Sequence, residues 1–395
     1  MKKRKTDDND PIIILKPKVK FAIYIELFLL LFFCNSNNYI IKAKEDEIIK
    51  NLDILKDDAT IFSILLQCGR LVGVIFIAVY FFCSKRLEHI QYFIFISILL
   101  KGLTFLVYCR DLNKEFVALF ELSIFSQGLF HSFIDLYFPI WINHFIDEDY
   151  KLLFLSISNG ASPLSYIFGI IFFTYISESI KYCFITLIIF IFIIDFIFLL
   201  TVTNNSCFNC DDISLDNYFN PLVSQNENTN EYSINDNKNE NLEKIKKNNY
   251  KLIFCFENTC AFISIVLSRA ILKFSFVGIN YLINDYYDNE LSGDGKLNQS
   301  LIFYVPLIGL FIGAILSYFK WFRKNITTLI ISIFIGIFGT LTSLFNNKLI
   351  FIVFIIFFYG TTNLIIPSLI QKSFDCFDDK QVSEISYAFN CFFIC

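Results

Sequence analysis

Long apolar stretches separated by short polar breaks fill most of this chain of 395 residues. Each stretch is close to the roughly 20 residues that an α-helix needs to cross a bilayer. Inside lipid a helix satisfies its own backbone groups, whereas an open sheet leaves polar edges unpaired. The sequence therefore predicts an all-α, polytopic membrane protein, with spans near 21–43, 59–83, 90–109, 116–146, 152–176, 180–202, 252–282, 299–319, 326–345 and 349–371, and another beginning near Ser386.

Composition excludes several classes of function. Charged residues make up 18% of the chain, against roughly 25% in soluble domains, which excludes an ordinary water-soluble enzyme. A net charge of −4 does not indicate a nucleic-acid partner. No HExxH, GxSxG or phosphate-binding loop occurs, and the Cys207–Cys210 pair has no second pair nearby. We expect no catalytic residues, no metal site and no cofactor.

The spacing of the spans divides the chain in two. Six spans precede a polar, Asn-rich stretch, and four or five follow it. Transporters built from two repeated helical bundles commonly have this plan. The asparagine-rich stretch has too few apolar residues to order itself. We expect a cytoplasmic N-terminal tail, a six-helix bundle, a disordered cytoplasmic linker and an incomplete, pseudo-symmetric C-terminal bundle, at 1–20, 21–202, 203–250 and 251–395.

Basic residues predict the orientation. They accumulate in the N-terminal tail, at Lys85 and Arg86, at the end of the linker and at 320–324. Cytoplasmic loops are enriched in Lys and Arg, and all four sites fall on one side if the N-terminus is cytoplasmic. A basic start before an apolar run also fits a cleaved signal peptide, but the spans that follow favour a retained first helix. Plasma membrane and internal membranes both remain open.

Span four carries the richest set of polar residues. Glu121, Gln127, His131 and Asp135 fall on one side of the predicted helix. His131 and Asp135 are four residues apart, which is hydrogen-bonding distance on a helix. Three interpretations stay open: a polar stripe packed against another helix, a cavity lining, or proton coupling by Glu121, His131 and Asp135.

Other spans offer partners for these groups. In span seven, Arg269, Lys273 and Asn280 share a face that suits an anionic group, or that pairs with Asp135 or Glu121. Asn363 in span ten is a further candidate for the cavity. We also expect ion pairs between Glu26 and Lys20, between Lys101 and Asp195, and between Arg70 and either Asp135 or Glu26.

Several local patterns resemble the major facilitator superfamily. Residues 38–53 look like its first outer loop, and Gly69 and Gly73 stand where its second helix carries packing glycines. Its basic turn is matched in degraded form by 83–88, with Lys85 and Arg86, and again by 320–324 in the second half. Gly128, Tyr137 to Trp141 and Gly160 to Pro163 are similar to the spinster-like branch, which is associated with lysolipid and sphingolipid export.

This resemblance implies a function. The two bundles would rock about a central site lined by spans one, four, seven and ten, with Arg70, Lys85, Arg86, Gly69 and Gly73 serving gating and packing. The expected cargo is a small organic solute or an amphipathic lipid, moved with or without protons by a monomer in the lipid bilayer. The alternative is a truncated, transport-inactive relative that binds a ligand without moving it, because the family norm of twelve helices is not reached.

Overall fold

The computed structural model describes residues 17–43, 45–54, 59–83, 87–110, 114–175, 180–206, 263–270, 272, 307–316, 319, 321–322, 325–344, 348–376, 383, 387 and 391. Within these residues the regular structure is helical, with short 3₁₀ turns at Phe105–Cys109 and Lys114–Phe116. The α-helices are α1 Pro17–Ala43, α2 Glu45–Leu52, α3 Ala59–Cys83, α4 Leu87–Thr104, α5 Val117–Phe145, α6 Lys151–Asn159, α7 Ala161–Tyr175, α8 Ile180–Ser206, α9 263–270, α10 Leu307–Leu316, α11 Asn325–Leu344 and α12 Lys348–Asp375.

The distribution of polar and apolar side chains is that of a membrane protein. Among the described helices, four have the length and apolar character of a span: Pro17–Asn37, Gln91–Cys109, Lys114–Phe145 and Ile180–Thr203. On α8, Ile193 and Phe196 are 53% and 56% exposed, whereas Asp195 between them is 1% exposed. On this helix the apolar side chains face outward and the carboxyl group faces inward. This arrangement is favourable in lipid and unfavourable in water.

The first six spans form one bundle. Helix α1 packs against α7 and α8, α3 lies along α5, and α4 contacts both α5 and α8. Trp141, Tyr137 and Phe184 are fully buried at its centre. The second half of α5 is buried almost throughout, so its polar side chains must find partners inside the protein.

Glycines permit the same close helix contact in both halves. A Cβ atom at Gly69 would collide with the Phe125 carbonyl oxygen of α5, and one at Gly128 with the Leu66 carbonyl oxygen of α3. In the second half, a Cβ at Gly309 of α10 would collide with the Gly360 carbonyl oxygen of α12. Spans two and four therefore meet as spans eight and ten do, a likeness that internal repeats produce.

The two halves contact each other at one end of the molecule. Helix α12 packs against α6 and the neighbouring part of α5. Ile370, Phe374 and Tyr387 belong to the same apolar core as the N-terminal helices. Because α5 ends and α6 begins there, and successive spans alternate in direction, this is the side on which α1 starts. Described residues of the two halves therefore contact each other on that side.

Several predicted boundaries differ from the structure. Helix α1 begins at Pro17 rather than 21, because proline is well suited to a first helical turn. Helix α8 continues to Ser206, past the predicted start of the linker. Span five is divided at Gly160 into α6 and α7, since Pro163 has no N–H to donate to the preceding turn. The predicted outer loop at 38–53 is mostly helical, because it contains the end of α1 and the short helix α2.

Two of the expected regions lie largely outside the described residues. These are the N-terminal tail before Pro17 and the linker from 207 to 250. The proposed division into tail, bundle, linker and second bundle therefore stays a prediction.

Candidate functional site

A buried histidine and a partly open carboxylate lie one turn apart on α5. His131 Nε2 is 3.1 Å from Asp135 Oδ2, an ion-pair distance, although the two groups are not aligned as a hydrogen bond. The side chain of His131 is 2% exposed and that of Asp135 is 41% exposed. His131 therefore lies in the interior of the bundle, and Asp135 lies partly at its accessible surface.

Lys101 of α4 completes this pair from inside. Its ammonium lies 2.8 Å from His131 Nδ1 and donates to the Cys34 carbonyl oxygen of α1 at 3.0 Å. A charged ammonium has only donors, so the neutral imidazole accepts at Nδ1 and carries its own proton on Nε2, on the side of Asp135. Lys101, His131 and Asp135 thus form a proton-bearing chain, which we call the relay.

The relay corrects one expected ion pair. Lys101 does not bind Asp195, and neither carboxylate oxygen of Asp195 has a hydrogen-bond partner among the described residues. Glu26 accepts a hydrogen bond from Thr201 of α8 at 2.7 Å instead of pairing with Lys20. The sequence did not predict the contact between Lys101 and His131, because the two residues lie on different helices.

The side chain of Gln127 is enclosed by polar partners and is not exposed to a cavity. Its side-chain oxygen accepts a hydrogen bond from Asn37 Nδ2 of α1. Its nitrogen donates to Tyr108 Oη at 2.8 Å and to Ser123 Oγ at 2.9 Å. Gln127 is fully buried, and both ends of its amide are engaged. The expectation that it lines the cavity therefore does not fit its surroundings.

Replacing Gln127 by leucine is expected to destabilise the bundle. Asn37 and Tyr108 would lose a buried partner, at a cost of about 1–3 kcal/mol. That corresponds to a melting temperature lower by roughly 5 °C. The matched control is Ser126→Ala, because that hydroxyl bonds only its own helix at Leu122. Equal melting curves for the two purified variants would contradict the structural role of Gln127.

Two arginines bring further positive charge to the relay. Arg70 of α3 lies beside Gly128 of α5, where its backbone nitrogen is 3.1 Å from the position of a Cβ. It interacts electrostatically with Asp135, His131 and Lys101, and its Nε is buried without a hydrogen-bond partner. The expected pairing of Arg70 with Asp135 is therefore electrostatic rather than a direct contact.

Arg269 of α9 approaches from the second half. Its guanidinium lies 5.7 Å from the ring centroid of Tyr387, and its Nη1 is buried without a hydrogen-bond partner. Tyr387 and Cys391 interact electrostatically with both Arg269 and Asp135. The structure thus brings His131, Asp135 and Arg269 into one region.

The remaining candidates divide into four groups. Lys273, Asn280, Lys85 and Arg86 lie outside the described residues. Asn363 is half-buried on α12, three residues after Gly360, just as His131 stands three residues after Gly128. Glu121 is about 21 Å from Asp135 along α5, by the rise of an α-helix, and does not join the relay. Gly69 and Gly73 lie at the contact of α3 with α5.

Comparison with solved structures identifies the fold. The proton:xylose symporter XylE, bound to 6-bromo-6-deoxy-D-glucose, aligns with a TM-score of 0.62 and 11% identity over 96% of this chain and 87% of its own. FucP in the outward conformation gives 0.61 and 13%, over 95% and 89%. An E. coli fucose:proton symporter variant of FucP gives 0.59 and 14%, over 95% and 88%.

Sequence comparison gives the family. No curated protein matches the chain. The sequence model of the Major Facilitator Superfamily matches residues 27–393, which is nearly the whole chain. Together with the polytopic helical fold and the buried polar site, this match shows that the chain belongs to the Major Facilitator Superfamily and is a multi-pass membrane transporter.

Proposed function

We propose that this protein moves a small organic solute across the membrane by alternating access and couples that movement to protons through Asp135. The observation that supports the proposal is the relay. A buried lysine orients the His131 proton toward a carboxylate whose side chain is partly exposed. A carboxylate in this setting can gain and lose a proton as its access changes.

The neighbours of Asp135 are suited to such a step. Lys101 and Arg70 interact electrostatically with Asp135, and Arg269 lies against the ring of Tyr387, which also interacts with Asp135. Protonation of Asp135 would remove the only described carboxylate in contact with His131 and leave the cations uncompensated. Binding of a proton therefore changes the balance of charge between the two halves, which is what a coupled rocking motion needs.

The contact between the two halves supports alternating access. Contacts of α12 with α5 and α6 hold the halves together at the end where α1 begins. We propose that this end is cytoplasmic, in agreement with the basic residues of the loops. An amphipathic lipid is the second candidate cargo.

Asp135→Asn is expected to remove coupling while preserving solute exchange. In proteoliposomes, a panel of labelled sugars and organic acids would be tested for uptake under an inward proton gradient. The wild-type protein should respond to the gradient, and the variant should show uptake no greater than without it, because an amide cannot carry the proton. Counterflow without a gradient should continue in both.

The control is Asp53→Asn. Asp53 is exposed and pairs with Lys114 at the surface, and asparagine tolerates its positive φ of 53°. Gradient-driven uptake that persists in Asp135→Asn would exclude Asp135 from coupling. Binding of a solute without uptake or counterflow in the wild-type protein would instead favour a transport-inactive receptor.

A further inference from the structure

We infer that the solute carries an anionic group, a carboxylate or a phosphate, and that Arg70 and Arg269 bind it from opposite halves. This inference rests on the proposed function, since it concerns the same central site.

The described site has a surplus of positive charge. Arg70, Lys101 and Arg269 contribute three cations. The described carboxylates of this region are Asp135 and Asp195, and Asp195 lies deep inside the first bundle. Even when both carboxylates are counted as ionised, the three described cations of this region outnumber its described carboxylates by one. An uncompensated charge in a membrane interior is costly, so an anion bound there is favoured.

The arginines also have donors to spare. Arg70 Nε and Arg269 Nη1 are both buried without a hydrogen-bond partner among the described residues. A guanidinium has five N–H donors and binds carboxylate or phosphate through two parallel hydrogen bonds. Two of the three Lys101 donors are already directed to His131 and Cys34. Arg269 also hydrogen-bonds Cys391, and both arginines still keep a buried N–H that a ligand could use.

The two arginines lie in different halves of the protein, so an anion bound to both would act on both halves. Arg70 is held against α5 by the close α3–α5 contact, in the first half. Arg269 belongs to α9 of the second half and lies against the Tyr387 ring. An anion that binds both guanidinium groups would link the two halves. It would also compete with Asp135 for the same cations, so a proton on Asp135 would strengthen anion binding.

The same chemistry could come from a free organic acid or from the headgroup of an anionic lipid. Thermal melting of the full-length purified protein, at constant ionic strength, would separate these sources. Glucuronate, glucose and glucosamine form a series of similar size with negative, neutral and positive charge. Lysophosphatidate and lysophosphatidylcholine form the matching pair of lipids.

We expect glucuronate or lysophosphatidate to raise the melting temperature, with an apparent Kd at least about tenfold lower than that of the neutral or zwitterionic partner, because each charged hydrogen bond contributes on that scale. Stabilisation by glucuronate indicates a free acid, and stabilisation by lysophosphatidate alone indicates a lipid headgroup. Arg70→Gln and Arg269→Gln should each reduce the preference to less than threefold. Arg110→Gln is the control, since Arg110 is exposed and contacts Phe116 outside the site.

Equal stabilisation by glucose and glucuronate, or stabilisation by neither anion, would overturn the inference. So would a preference that survives in both arginine variants. These outcomes are independent of coupling, because melting needs no transport. If Asp135→Asn kept gradient-driven uptake, the proposed coupling would fail while the charge preference still stood.

Discussion

Replacing Gly128 by leucine is expected to prevent recovery of folded protein. A Cβ at this position meets the Leu66 carbonyl oxygen and the Arg70 backbone nitrogen of α3. Both are backbone atoms and cannot rotate away, so α3 and α5 would have to separate along the contact that also contains Gly69 and Gly73. Overpacking against side chains destabilises a protein by about 1–3 kcal/mol. The destabilisation is larger when the opposing atoms belong to the backbone, which cannot move aside. The measurement is the monodisperse fraction in size-exclusion chromatography.

Gly336→Leu is the matched control. It is the same substitution within a helix, and a Cβ at Gly336 meets no atom within 4 Å. Leucine has a higher helix propensity than glycine by nearly 1 kcal/mol, so this variant should be as stable as the wild-type protein or slightly more stable. A folded Gly128→Leu variant with an unchanged melting temperature would show that α3 and α5 are farther apart than in this structure.

Lys101→Met is expected to abolish transport. The methionine fills the space of the lysine stem but supplies no donor to His131 or to the Cys34 carbonyl oxygen. His131 is then free to carry its proton on Nδ1, and the proton is lost from the side facing Asp135. Loss of a charged buried hydrogen bond costs up to about 3 kcal/mol. If that cost falls on the transport step, uptake drops by about 100-fold.

A structural role and a relay role can be separated for Lys101. Lys114→Met is the control, because Lys114 pairs with Asp53 at the surface, where both side chains are largely exposed and such a pair contributes little. If the relay matters, Lys101→Met should also lose the dependence of counterflow on external pH, in protein that still elutes as a single species. A folded variant with wild-type uptake and pH profile would remove Lys101 from the mechanism.

Local sequence patterns predicted the spans well, and the reason is physical. Length and apolar content decide whether a helix crosses a bilayer, and both can be read from adjacent residues. Gly69 and Gly73, which were expected to serve packing, are four residues apart, a spacing that places both on one face of a helix and lets another helix approach closely. The breaks were harder to place. The division of span five at Gly160 depends on Pro163, within an otherwise continuous apolar run.

The candidate site was predicted only where its members share a helix. His131 and Asp135 are one turn apart on α5, so their contact follows from helical spacing. Gln127 lies on the same face and was expected to line the cavity. Its partners Asn37 and Tyr108 come from other helices and occupy its amide completely. A shared helical face does not reveal which polar side chains already have hydrogen-bond partners on other helices.

By itself, the sequence determined that this protein is helical, membrane-embedded, built in two related halves and polar along span four. These properties depend on composition and on residues near one another in the chain. Only the tertiary structure decided that Lys101 serves His131 rather than Asp195, and that Arg70 and Arg269 have buried donors left over. Pairing between helices depends on their relative rotation and depth in the bundle. Those are set by packing of glycines and aromatic side chains from all the spans together.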